Sequence, residues 1–306
     1  MRMAKLSVLI GGLLLGAALG LAMAGTCAAD ELPRKADWQM RLASDTAAGG
    51  IRIVSIVADS PGARAGLRVG DRIVSIDSQP VASSADIARH RHRSIGGAAI
   101  EFVVERDGRR ISARMVASAR ARESYQDLDV RYLAAKTDAG FAVSMIVTRP
   151  RDAGRSPAIV FVPWLSCDGI DYPRGAVDGW SRLLLELAHT SGMALVRVEK
   201  AGLGDSTGPA CVDADLDADM AGYRAALREV ARLPEIDPSR IVLFGGSIGA
   251  ALAPVLARDF PVRAIVASGG FYKTWLEHML ELERRRLGFE GATPAQIGKA
   301  LRGYAD

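Results

Sequence analysis

Residues 241–249 read Ile-Val-Leu-Phe-Gly-Gly-Ser-Ile-Gly. Four apolar residues run into Gly245, Gly246, Ser247, Ile248 and Gly249, so a serine sits between glycines at G-x-S-x-G spacing. After a strand and before a helix, that spacing suits a tight, strained turn that thrusts a hydroxyl outward as a nucleophile. Glycines at 245 and 249 let the turn close and let the following helix pack near the strand. A serine hydroxyl is a weak nucleophile at its own pKa. It needs a histidine to take its proton and an acid to orient that histidine. The alternative is a structural turn that happens to contain serine.

The base is not evident. After Ser247 the sequence offers one histidine, His278, inside the charged amphipathic stretch 275–291, where it reads as a surface residue or one facing a cap. His189 precedes the serine, on a helix. The acids after Ser247 are Asp259, Glu277, Glu281, Glu283, Glu290 and Asp306. Asp259 belongs to a turn at the far end of the next strand, and none of the others follows a late strand. The acid and the histidine are therefore not found in this chain. Other chemistries find less support. His90 and His92, two apart on a helix, do not share a face and read as surface histidines. No Cys/His spacing suits zinc. Asp213, Asp215, Asp217 and Asp219 lack the glycine and glutamate of a calcium loop and read as charges at a helix N-terminus. Gly202 and Gly204 lack the third glycine of a dinucleotide site. No metal and no cofactor are expected.

The elements that must position Ser247 alternate. Strands are expected at 143–148, 158–162, 194–198, 241–244 and 262–267, and helices at 180–191, 215–233 and 249–258. Apolar runs such as 158–162 suit strands buried on both faces. The alternation implies an α/β class with a mostly parallel sheet. With the elbow at 245–249, the loop opening Pro163-Trp164-Leu165 and the stretch Arg197-Val198-Glu199-Lys200-Ala201-Gly202-Leu203-Gly204-Asp205-Ser206, residues 122–306 resemble an α/β-hydrolase related to prolyl oligopeptidases, dienelactone hydrolases and small esterases. The resemblance implies oxyanion donors at the amides of Ile248 and of Trp164 or Leu165. It also implies a helical cap from about residue 271, and further strands carrying the acid and histidine. The sequence reads as an α/β-hydrolase incomplete at its C-terminal end.

Residues 36–118 are organised differently. An alternating strand at 51–57 leads into Ser60-Pro61-Gly62-Ala63-Arg64-Ala65-Gly66-Leu67-Arg68-Val69-Gly70-Asp71, followed by a strand at 72–77. A helix opens at Ser84, its expected N-cap. Strands at 100–105 and 111–116 flank Asp107-Gly108, a hairpin turn signal. This order resembles a bacterial PDZ domain, a small α+β unit. The resemblance implies a groove for an extended peptide or protein segment, with a carboxylate loop over residues 37–42 that includes Trp38, Gln39 and Met40. The glycine usual in that loop is absent.

The 306 residues suit two domains, and 49% hydrophobic content suffices for sizeable cores. A net charge of +4 is dispersed, with no basic block interleaved with aromatics, so nucleic acid is not an expected partner. Arg2 and Lys5 precede an uncharged run over residues 6–29 that closes on small residues, and residues 1–29 read as a signal peptide. Left uncleaved, the run is long enough to anchor the chain in a membrane. Either way the remainder lies outside the cytoplasm, periplasmic or extracellular. There Cys167 and Cys211, each in a loop after a strand, are expected to form a disulfide. The expected function is an exported serine hydrolase, acting on a small ester or peptide through an acyl-enzyme at Ser247. The alternative is a PDZ-type binding protein with an incomplete hydrolase unit.

Overall fold

The computed structural model describes residues 31–45 and 49–304, and the expected signal segment, residues 1–29, lies outside them. The first unit comprises β1 (Ala36–Asp37), β2 (Met40–Ser44), β3 (Ile51–Ile56), α1 (Pro61–Arg64), β4 (Arg72–Ile76), β5 (Gln79–Pro80), α2 (Ser84–Arg93), β6 (Ala99–Arg106), β7 (Arg109–Val116) and β8 (Ser118–Ala119). An antiparallel sheet runs β2-β3-β4-β6-β7, with β5 paired to β4. Period-two alternation builds its core. Ile100, Phe102 and Val104 of β6 point inward, as do Ile51 and Ile53 of β3. The β6–β7 hairpin closes at Asp107 (φ 50°) and Gly108 (φ 72°), the two left-handed positions that its turn requires. β1 pairs with β8, so the chain enters and leaves the unit at one place.

Two expectations for this unit need correction. The N-cap of α2 is Ser83, not Ser84; it exchanges hydrogen bonds with Asp86 in a capping box. The stretch 37–42 is not all loop, because Met40 already pairs with Ile56 as the first residue of β2. The histidines also differ from the surface reading. His90 is buried, and His92 is half-buried against the second unit.

The second unit comprises β9 (Leu128–Lys136), β10 (Ala142–Pro150), β11 (Ser156–Val162), α3 (Gly179–Thr190), β12 (Ala194–Val198), α4 (Leu216–Val230), β13 (Ile236–Gly246), α5 (Ile248–Asp259), β14 (Ala264–Ser268), α6 (Trp275–Phe289) and α7 (Pro294–Arg302). The sheet order is β14-β13-β11-β12-β10-β9. The four central and late strands are parallel, and β10 joins β12 and β9 antiparallel. α4 lays Met220, Tyr223, Leu227 and Val230 on the sheet along one stripe. β14 forms the edge; Ala264 to Ala267 are exposed, with Val266 49% exposed. The helical segment expected from about residue 271 forms α6 and α7, which pack on each other and bury no residue. No helix among the described residues is long and apolar enough to cross a membrane.

A charged cluster lies inside the second unit. Arg197 of β12 is fully buried and forks onto Glu123 at 2.7 and 2.6 Å. Its guanidinium also donates to the Ile170 carbonyl and the Thr148 hydroxyl. Glu123 accepts the Tyr172 amide and the Tyr125 hydroxyl. Such a pair stands only when each charge is satisfied. Glu123→Ala should therefore cost roughly 3–5 kcal/mol in urea unfolding, because it strands Arg197. The double variant Glu123→Leu, Arg197→Met should lose less than Glu123→Ala alone.

Candidate active site and the adjoining groove

The elbow is built by backbone contact. Ser247 has φ 55° and ψ −120°, a strained conformation that non-glycine residues seldom adopt. It is held by the bond from its N–H to the Ser268 carbonyl, 2.9 Å, across to the end of β14. A Cβ at Gly249 would stand 2.0 Å from the Val162 carbonyl oxygen, and one at Gly245 would stand 2.3 Å from the Gly249 oxygen. Only glycine at both positions allows α5 to press against the end of β11. Ser247 is exposed at the tip, on the carboxyl edge of the sheet, where open α/β sheets bind ligands.

α5 begins at Ile248, and the Ser247 side chain makes no capping bond. The Ile248 N–H thus lies in the first turn, where amides have no intrahelical partner and the helix end favours negative charge. The loop after β11, whose first carbonyls at Val162 and Pro163 lie against Gly249, is pinned from three sides. The Leu165 carbonyl accepts from Lys200 Nζ at 2.9 Å, and Lys200 also pairs with Asp219 at 3.0 Å. Cys167 and Cys211 are joined by a disulfide, Cα to Cα 5.9 Å. The Ile170 N–H donates to Glu199 at 3.1 Å. The Trp164 ring packs edge-on to Phe161 and tilted on Trp180, in an aromatic cluster with Phe244. Its indole N–H is buried without a partner among the described residues.

Among the described residues no base is assembled on Ser247. Among the described residues no histidine or carboxylate hydrogen-bonds its hydroxyl. His278 stacks on Phe271 with ring centroids 4.3 Å apart. His189 Nδ1 meets Asp127 at 2.9 Å, on the last turn of α3 and so at the opposite edge of the sheet. His90 is buried in the first unit, and His92 Nε2 meets the Gly208 carbonyl. Asp259 pairs with Arg224, while Glu277, Glu281, Glu283 and Glu290 hold contacts within the segment 273–290. Asp306 lies outside the described residues. No group of three His, Cys, Asp or Glu side chains among the described residues is placed to hold a metal ion. Asp215 caps α4, whereas Asp213 pairs with Arg89 of the first unit.

The sequence reading missed Glu199. Its carboxyl is fully buried, one oxygen has no partner, and burial pushes its pKa up to about 7. Arg120 opposes that rise, while Asp171 and Asp205 add to it. The available signal was a charged pair, Glu199-Lys200, directly after an apolar strand.

The first unit docks on this same carboxyl edge. Arg34 pairs with Asp171 at 2.8 Å and also with Asp205. Arg89 grips Asp213 at 2.8 and 2.6 Å, and Arg174 meets Asp37 at 2.8 Å. The β2–α2 groove thereby faces the loops at 167, 202–204 and 211–212, enclosing about 770 Å³. Two side-chain contacts lie within the stretch expected to take a carboxylate. Asp37 accepts the Gln39 N–H at 3.0 Å, and Arg91 donates to the Met40 carbonyl at 3.1 Å.

The family model of the PDZ domain matches residues 52–106. The first unit carries a PDZ domain. Parts of the chain are also similar to solved structures. A bacterial heroin esterase is 23% identical over 52% of this chain and 50% of its own, with a TM-score of 0.40. An esterase of the hyperthermophilic archaeon Pyrobaculum calidifontis is 22% identical over 57% and 54%, TM-score 0.40. An HtrA-type protease with a decapeptide is 24% identical over 28% and 30%, TM-score 0.27. The chain spans about half the length of the esterases it matches. No curated protein matches the chain.

Two outcomes test this geometry. Gly249→Ala should lose about 3 kcal/mol or more, since the new methyl meets backbone on both sides; thermal unfolding measures it. Glu199 in the native state keeps a proton that the unfolded chain releases from about pH 4.5. Stability should therefore fall as pH rises from there to about 7 and then level off. Glu199→Gln should flatten that fall in unfolding series run across the range.

Proposed function

We propose that the second unit carries the nucleophile and oxyanion halves of an exported serine hydrolase, with the PDZ unit holding a peptide or protein segment beside it. The observation that carries this reading is the strained Ser247 turn, fixed by glycines that nothing larger can replace. In the proposed reaction Ser247 Oγ attacks the carbonyl carbon of a carboxylic ester or peptide bond. The developing oxyanion is met by the N–H of Ile248 and that of Trp164 or Leu165. The leaving alcohol or amine departs with a proton, and water then hydrolyses the acyl-enzyme. Export to the periplasm or beyond agrees with the Cys167–Cys211 bond, since disulfides persist in oxidising compartments.

The free Ser247 hydroxyl favours a second reading, a PDZ-type binding protein whose hydrolase unit does not turn over. Without a base, turnover should stand several powers of ten below that of a complete triad. A fluorophosphonate probe separates the readings. Under the first, Ser247 takes the label, exogenous imidazole speeds the labelling by acting as the missing base, and Ser247→Ala abolishes it. A folded chain that takes no label at Ser247, with or without imidazole, would leave the turn structural and the binding reading in force.

A further inference from the structure

We propose that Glu199 is a proton-operated latch between the two units: with its carboxyl neutral, the loops after β11 and β12 close together on Arg34, and with it ionised they part and loosen the first unit. The carboxyl is wedged between those loops. One oxygen accepts the Ile170 N–H at 3.1 Å. On the other side a Cβ at Gly204 would stand 2.8 Å from the carboxyl carbon. Residues 170 and 204 each directly precede an aspartate, and these two aspartates clamp the first unit. Asp171 holds Arg34 at 2.8 Å, and Asp205 holds both Arg34 and the Lys35 amide. Arg34 and Lys35 lead straight into β1, so the clamp fixes the entry to the PDZ domain. The second Glu199 oxygen is buried without a partner among the described residues. A neutral carboxyl tolerates that far better than a carboxylate, whose charge calls for water or a donor.

The groups facing Glu199 come from several elements. Asp171 and Tyr172 lie on the loop after β11, Asp205 on the loop after β12, Tyr223 on α4, and Arg120 in the segment before β9. Burial is the largest effect and favours the neutral carboxyl; the two aspartates act the same way, and only Arg120 opposes them among these groups. Arg120 already lies 3.6 Å from Asp171. Burial also raises both tyrosines, which keep their protons. An ionised Glu199 would add some attraction for Arg34, but Arg34 has two carboxylates already, whereas the new charge would have no solvation until the loops part. The closed form thus titrates at about 7, and an opened, hydrated form near the ordinary 4.5. Opening is therefore favoured by about tenfold for each pH unit between those values, and the effect levels off above the higher one. His92, at the same interface, works in the opposite sense. Burial, then the Lys35 charge, lowers its pKa, so it weakens docking only as pH falls. The latch stands apart from the reactivity of Ser247.

The test is hydrogen exchange of the full chain between pH 5 and 8, read by mass spectrometry and corrected for the intrinsic pH dependence of exchange. Protection over residues 33–38, 168–173 and 202–206 should fall about tenfold or more between pH 5 and 7 and then level off. Strands β6, β7 and β10 should change much less. Glu199→Gln, which cannot ionise, should hold protection across the range. A flat profile in the wild type overturns the latch. So does a fall shared equally by β6, β7 and β10, which would mark loosening of the whole fold, and so does an equal fall in Glu199→Gln, which would assign the titration elsewhere. Infrared spectroscopy of the wild type needs no variant. A protonated carboxyl band should persist above pH 6 and vanish with the same midpoint as the protection, and its absence above pH 6 overturns the proposal.

Discussion

The arrangement of the carboxyl edge depends on a chain of desolvated charges. Arg197 holds Glu123, and Glu123 holds the Tyr172 amide. The neighbouring Asp171 accepts from Tyr132, whose hydroxyl in turn receives the Glu123 amide. Asp171 also binds Arg34, and Arg34 binds Asp205. Each charge in this chain is affordable only with its partners in place. The loop after β11, the loop after β12 and the segment entering the PDZ domain are therefore fixed by one set of interactions. Moving any of them strands a buried charge in the others.

That interdependence explains what could be read in advance. The elbow was legible because local sterics dictate it: a positive φ at the serine and backbone contact at both glycines leave one solution. The alternating βα pattern and the Asp107-Gly108 hairpin are likewise local. β9 was not legible. Its residues 128–136 mix Asp129, Arg131 and Lys136 with apolar positions, and the strand forms because it pairs with β10 along its whole length. Nor was the docking of the two units. Arg34, Asp171 and Asp205 lie far apart in the chain, and no periodicity marks them as partners. The histidines show the same limit. His90 and His92 point away from a shared face, as helix geometry demands, but only tertiary contact decides that one is buried and the other bridges the units.

Electrostatic and proton-transfer parts of serine catalysis are separable, and among the described residues no histidine or carboxylate supplies the second to Ser247. Under the proposed reading the Ile248 amide at the head of α5 and an amide of the pinned loop at 164–165 would be the oxyanion donors, and preorganised donors cost no rearrangement when charge develops. Three different attachments hold that loop: an ammonium on its carbonyl, a disulfide two residues on, and a buried carboxyl on the Ile170 amide.

The same fastening ties the groove to the elbow. Cys167 lines the groove, and Leu165, two residues before it, lies in the loop that follows β11 and accepts from Lys200. Cys211 and Val212 line the groove from the other side of the disulfide, next to the Asp213 that Arg89 of α2 grips. A peptide seated on β2 and α2 would therefore press on residues bonded directly to the loop after β11. The PDZ domain is not a detached recruiter on a linker. Its groove is walled by the loops after β11 and β12 of the second unit, so occupancy of the groove and the geometry of those loops share their contacts.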